Sequence, residues 1–197
     1  MLLTPLHAAI AAPSPWAQRW THLIAPGGTV LDVACGSGRH VRWLAARGFQ
    51  VTGVDRDAAA LAVLRGDLGA SAELVEADIE SGPWPFAGRR FDAIVVTNYL
   101  WRPLLPTLVQ SLNAGGVLIY ETFADGNQSL GKPSRPDFLL QAGELLRVAA
   151  DLRTVAYEHG YLDAPPRFVQ RLCAVAPSTA ASGPPRHPLA GPPGTHG

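Results

Sequence analysis

The sequence predicts an α/β protein, a doubly wound and mostly parallel sheet with helices on both faces. Three observations carry that expectation. Short apolar runs alternate with stretches of helical period from residue 29 to residue 123, the rhythm of repeated strand–helix–strand units. Runs such as TVLDVA and FDAIVVTN are too uniformly apolar to leave one face of a sheet for water, as in parallel sheets covered on both sides. The first three runs also end in a glycine loop or an acid, on the edge where open α/β sheets bind ligands.

The elements follow in order. SPWAQRWTHLI (14–24) is a candidate N-terminal helix. TVLDVA (29–34) reads as a buried strand, and RHVRWLAARG (39–48) as a helix with Val41, Leu44 and Ala45 on one face, ended by Gly48. QVTGVD (50–55) is a second strand, followed by the helix DAAALAVLRG (57–66), capped by Asp57 and stopped by Gly66. AELVEAD (72–78) is a third, shorter strand, and after the turn-rich ESGPWPFAGRR comes the fourth, FDAIVVTN (91–98). LLPTLVQSLNAGG (104–116) reads as a helix with Pro106 in its first turn, leading into a fifth strand, GVLIYETF (116–123). A long polar loop (124–138) precedes the helix LLQAGELLRVA (139–149), and LRTVAYEHG (152–160) with RFVQRLCAVA (167–176) forms a terminal hairpin. The expected organisation is an extension over 1–13, one domain over 14–177, and a Pro/Gly-rich disordered tail over 178–197.

Composition narrows the function. Formal charge is zero and only 16% of the 197 residues are charged, so no basic footprint points to duplex nucleic acid. No run reaches the roughly 20 apolar residues of a membrane span, and the N-terminus has no basic region before its apolar residues, which predicts a cytoplasmic protein without a signal peptide. The two cysteines, Cys35 and Cys173, are far apart with no CxxC or His-rich companion, so neither a metal site nor a disulfide is expected. The expected state is a monomer or weak homodimer.

Asp32 is the first functional signal, because an acid inside TVLDVA is costly to bury unless something uses it. Cys35-Gly36-Ser37-Gly38 follows directly, and glycines at a strand-to-helix turn either make a plain tight turn or let a ligand touch the backbone. A dinucleotide fingerprint G-x-G-x-x-G would have a third glycine where Val41 stands, which counts against NAD. Asp55, ending the second strand, is placed to accept from ribose hydroxyls. Asp78, ending the third, can accept from an adenine amino group while Ile79 packs on the ring; alone it would read as a solvated loop acid.

With these residues in place, VLDVACGSG, VTGVDRD, VEADIE and FDAIVVTNYL…LNAGGVLIYETF resemble the ordered motifs of class I S-adenosylmethionine-dependent methyltransferases, over residues 28–176. The resemblance implies the Rossmann-like methyltransferase fold, a seven-stranded sheet whose last strand, near 168–176, runs antiparallel beside the fifth. It implies S-adenosylmethionine as cofactor, with Asp32 near the methionine portion, Gly36 and Gly38 giving it room, Asp55 on the ribose, and Asp78 with Ile79 on the adenine. Ala34, Cys35, Arg39, Arg56 and Thr97 complete the cofactor set it implies. The GSGRH continuation is similar to the TehB-like branch of small bacterial methyltransferases. The implied activity is methyl transfer to a small-molecule acceptor; the alternatives are an NAD-type dehydrogenase and a non-catalytic S-adenosylmethionine-binding module.

Candidate catalytic residues lie at the exits of the fourth and fifth strands. Asn98-Tyr99 begins like the Asn/Asp-Pro-Pro-aromatic motif of amino-methylating enzymes, but Leu100 and Trp101 replace the prolines. Glu121 is the candidate general base or acceptor-orienting carboxylate, with a purely structural acid as the alternative. The loop 124–138 is long enough for a lid, with Lys132 and Arg135 able to face an anionic substrate or simply solvated. His159 and Tyr161 approach from the hairpin if they act at all, Cys35 packs rather than reacts, and Trp16 and Trp20 either cover the acceptor or belong to the core.

Overall fold

The structure is a computed structural model that describes residues 11–178 and 185–191. Seven strands form one sheet in the order β3-β2-β1-β4-β5-β7-β6. β1 (Thr29–Val33), β2 (Gln50–Asp55), β3 (Ala72–Glu76), β4 (Phe91–Thr97) and β5 (Leu112–Phe123) are parallel, while β6 (Arg153–Asp163) and β7 (Pro166–Val175) pair antiparallel. β7 inserts between β5 and β6, with Glu121 opposite Arg171. The methyltransferase-type sheet implied by the sequence is therefore the one observed.

The winding divides the core in two. One face packs α1 (Pro15–Trp20), α2 (Arg39–Ala45) and α3 (Ala58–Leu68) through Trp16, Trp20, Val41, Leu44, Leu61 and Leu64. The other packs α4 (Leu105–Gln110) and α5 (Glu144–Val148) through Leu105, Leu108 and Leu145. Strand alternation sends Ile119 to the first face and Tyr120 to the second. Trp16 and Trp20 are core residues, at 2% and 0% exposure, and the Trp16 indole donates to the Leu172 carbonyl at 3.1 Å.

Every expected helix changes its bounds: α1 stops at Trp20 and continues as a 3₁₀ turn, Thr21–Leu23, and α2 stops at Ala45, short of Gly48. α3 runs through Gly66 to Leu68, because Leu61 and Leu64 anchor it and Gly66 faces open space; the chain turns only at Gly69. The helix expected over 104–116 stops at Gln110, because residues from Leu112 onward join β5 beside Phe91. Gly115, at φ +77°, makes the irregularity there rather than a helix end. The helix expected over 139–149 is confined to Glu144–Val148: a 3₁₀ turn at Pro136–Phe138 precedes it, and Leu140 instead bridges Ala124.

The N-terminal extension lies mostly outside the described residues, as does much of the expected tail. Residues 185–191 run as coil beside α1, with the Pro188 carbonyl 2.9 Å from His22 Nε2. Among the described residues no helix is long and apolar enough to cross a membrane.

Candidate active site

The carboxyl edge of β1, β2 and β3 forms a cleft lined by Ala34, Asp55, Arg56, Asp78, Ile79 and Tyr99, together with Ala77 and Glu80. The chain leaves β1 in a left-handed turn, with Ala34 at φ +52° and Gly36 at φ +53°. That turn aims the Gly36 N–H at Asp55 Oδ2, 2.7 Å away, while Asp55 Oδ1 accepts from the Asp57 N–H at 2.9 Å. Asp55 thus ties the glycine loop to the start of α3. At the end of β3, Asp78 Oδ1 accepts from the Glu80 and Ser81 N–H groups, which hold its carboxyl below the usual range. Three carboxylates against Arg56 make the cleft acidic, the opposite of a phosphate cradle and suited to a cationic ligand.

Asp32 lies beneath this edge at 1% exposure, and its Oδ2 has no hydrogen-bond partner among the described residues. Burial raises its carboxyl pKa to about 7, against the opposing pull of Arg39 and a backbone bond from Val41, and with a further push from Asp55. His40, one turn into α2, sits with Nδ1 4.0 Å from Asp32 Oδ2. Burial and Arg39 lower the His40 pKa to about 4, so this contact joins a neutral imidazole to the acid rather than an ion pair. The Ser14 N–H donates to His40 Nε2 at 3.0 Å, which leaves the imidazole proton on Nδ1, facing Asp32 and the Thr97 hydroxyl at 3.5 Å. Arg39 also donates to Thr97 Oγ1 at 3.2 Å. Neither His40 nor Ser14 is a candidate from the sequence; the only trace is the polar pair Arg39-His40 directly after the glycine loop.

Glu121 is buried at 1% exposure on the same face, and it is not free. Arg171 Nε lies 2.5 Å from its Oε2, Arg167 approaches Oε1 at 3.6 Å, and the Ser14 hydroxyl donates to Oε1 at 3.1 Å. With its oxygens held by the Arg171 guanidinium and the Ser14 hydroxyl, Glu121 is placed for the orienting role better than for the general-base role. Asn98 is exposed in a left-handed conformation, φ +56°, with its N–H donating to the Glu121 carbonyl at 2.9 Å. Tyr99 lines the acidic cleft; burial, with Glu80 and Asp78 nearby, pushes its hydroxyl pKa above the usual range, so it stays neutral.

Several sequence expectations take a different form. Gly38 does not open space for a ligand: a Cβ there would lie 2.3 Å from Leu64 Cδ2, so helix packing excludes a side chain, whereas Gly36 has nothing within 4 Å. The Cys35 side chain turns away beneath β2, where its Sγ would be 3.0 Å from a Cβ on Gly53, and burial pushes its thiol pKa up. His159 and Tyr161 are exposed on the edge strand β6, separated from β5 by β7. The loop 124–138 is braced at Asn127, which is 1% exposed, donates to the Pro133 carbonyl at 3.0 Å and accepts from the Phe168 N–H at 3.2 Å. Arg135 pairs with Asp137 at 2.7 Å, leaving Lys132 as the loop's cation without a bonded acid.

Residues 30–116 match the family model described as a methyltransferase domain. Among solved structures, TehB from Haemophilus influenzae superposes with a TM-score of 0.61 at 22% identity, covering 78% of this chain and 59% of that one. A SAM-dependent methyltransferase from Methanosarcina mazei gives a TM-score of 0.65 at 15% identity, covering 85% of this chain and 100% of that one. The 1,6-didemethyltoxoflavin-N1-methyltransferase of Burkholderia thailandensis, solved with bound 1,6-didemethyltoxoflavin and S-adenosylhomocysteine, gives 0.61 at 19% identity, covering 83% of this chain and 76% of that one. No curated protein sequence matches the chain. At these identities the structures show the fold alone, and residues 30–116, less than half of the chain, are similar to a methyltransferase domain. S-adenosylhomocysteine is bound in the Burkholderia structure, which makes S-adenosylmethionine the cofactor to test against this cleft. The residues present fit this cofactor: an acidic cleft, open space at Gly36, and a buried Asp32 oxygen without a partner.

Proposed function

We propose that this chain transfers the methyl group of S-adenosylmethionine to a small-molecule acceptor. The observation that carries the reading is the unpartnered, buried Asp32 Oδ2 beneath an acidic cleft, an arrangement that gains from a cation above it. Bound there, S-adenosylmethionine supplies an electrophilic methyl group. Asp32, Gly36 and Asp55 hold the methionine and ribose portions, and Asp78 with Ile79 holds the adenine. Arg39 and Thr97 order the exit of β4, where Asn98 and Tyr99 border the acceptor. Glu121, held by Arg171 and Ser14, fixes the floor of that region. In-line methyl transfer needs alignment and exclusion of water more than it needs a base. With Glu121 already paired, the site favours acceptors that bring their own lone pair, such as thiolates.

A cytoplasmic location and a monomer or weak homodimer complete the reading; free, buried Cys35 and Cys173 fit a reducing compartment. Balanced charge supports a small acceptor over duplex nucleic acid. The test is release of S-adenosylhomocysteine from methyl-labelled S-adenosylmethionine against panels of small thiols, phenols and amines. Labelled product is expected with the wild type and lost in Asp55→Ala. Cofactor binding with no transfer to any panel or to a metabolite extract would favour the non-catalytic module instead.

A further inference from the structure

A second pocket, of about 520 Å³ including its open mouth, lies at the carboxyl edge between β5 and β7. Phe123, Asn127, Leu130, Lys132 and Arg167 are among its walls, and no carboxylate lines it. It is separate from the cofactor cleft, with which it shares no residue. Its two charged residues are both cations, in a chain whose net charge is zero.

Arg167 is the informative one. Its side chain is 17% exposed, and its buried Nε donates to nothing among the described residues. The nearest acid, Glu121, stands 3.6 Å from the guanidinium, beyond hydrogen-bond reach, and is committed to Arg171 and Ser14. A guanidinium presents a planar fork of donors that matches a carboxylate in two parallel bonds. Lys132, across the pocket on the braced loop, is the chain's only lysine among 16 basic residues. A mobile point charge opposite a fixed fork is a common way to grip one small oxyanion.

Sheet geometry relates the pocket to the reaction. Thr97, Glu121 and Arg171 are register partners across β4, β5 and β7, and Arg167 lies four residues further toward the carboxyl edge on the face of Arg171. Two strand spacings sideways, about 10 Å, and four residues along β7, about 13 Å, place Arg167 about 16 Å from the exit of β4. We propose that the Lys132–Arg167 pocket binds a carboxylate, and that the methyl acceptor is an extended carboxylic acid whose acid group lies about that far from its accepting atom. The acceptor assignment rests on the methyltransferase reading; the pocket does not.

Because Lys132 is the only side-chain amine, its acylation by an amine-selective reagent reports the pocket without turnover. Benzoate is expected to slow acylation of Lys132 both with and without added S-adenosylhomocysteine, benzamide to leave it unchanged, and Arg167→Gln to abolish the protection. Equal rates with benzoate and benzamide, protection undiminished in Arg167→Gln, or protection by inorganic phosphate and not by benzoate each overturn the carboxylate site. In turnover, 12-mercaptododecanoate, which spans that distance when extended, is expected to exceed 12-mercaptododecanamide by roughly tenfold in kcat/KM, the scale of a charged hydrogen bond. Lys132→Gln, at an exposed position, should bring that ratio toward one with S-adenosylhomocysteine affinity unchanged. A ratio of one in the wild type overturns the acceptor assignment. Failure of S-adenosylhomocysteine to bind at all overturns the methyltransferase reading and leaves the acylation result standing by itself.

Discussion

Asp32→Asn separates stability from function. In the folded chain the Asp32 carboxyl titrates near 7, against an ordinary value of 3.8, because burial disfavours its charge. Between those values the native state binds more protons than the unfolded chain. Wild-type stability from this group is therefore fullest below 3.8 and is lost as pH rises toward 7. At 1.36 kcal/mol per tenfold, holding the carboxylate ionised at pH 8 costs on the order of 4 kcal/mol in the absence of a ligand. The neutral amide escapes that cost. His40 slopes the other way, since its folded value near 4 lies below 6.5, so its contribution is present above 6.5 and lost as pH falls. Both proteins share His40, so the difference between them isolates Asp32. Urea unfolding from pH 4 to pH 8 should show the Asn variant near wild-type stability at the acid end and ahead by as much as about 4 kcal/mol at pH 8. The same variant should bind S-adenosylmethionine more weakly by about 1–3 kcal/mol. A stability difference that is flat with pH, or a variant less stable at pH 8, refutes the reasoning.

The two loop glycines should respond differently. Gly38→Ala, which drives a Cβ into Leu64 at φ +78°, should lower Tm well beyond Gly36→Ala, which meets nothing within 4 Å. Thermal melts read the difference, and Leu64→Ala in the Gly38→Ala background should recover part of it; equal losses at both glycines contradict the packing account. Asn127→Ala removes the acceptor for the Phe168 N–H and the donor to Pro133, and should cost about 1–3 kcal/mol with cofactor affinity unchanged. Parallel melts and titrations check this, and an unaltered Tm means that Asn127 does not brace the loop.

Much of the fold was legible because its signals are local. The strands β1, β2 and β4 are buried apolar runs, and Asp57 caps α3 in the position its residue type favours, accepting from the Ala60 N–H at 3.0 Å. The failures lie where tertiary pairing overrides local preference. Residues 112–116 look like the end of a helix but are recruited by Phe91 into β5, and Gly66 looks like a stop but has no neighbour to forbid helix. The acids of that edge were legible for a similar reason, since Asp55 closes β2 and Asp78 follows β3 by two residues. The network of Ser14, His40, Glu121, Arg167 and Arg171 was not, because its members come from the N-terminal cap, α2, β5 and β7 and meet only when β7 inserts beside β5. Gly38 shows that a motif residue can sit where expected and still serve packing.

Calorimetric titration of the wild type and of Asp55→Ala with S-adenosylmethionine, and separately with NAD, tests the central claim most directly. The structure predicts one S-adenosylmethionine bound by the wild type, affinity reduced by about 1–3 kcal/mol in Asp55→Ala, where the tie to Gly36 is lost, and no heat with NAD. Binding of NAD with no response to S-adenosylmethionine, or equal S-adenosylmethionine affinity in the two proteins, would contradict it.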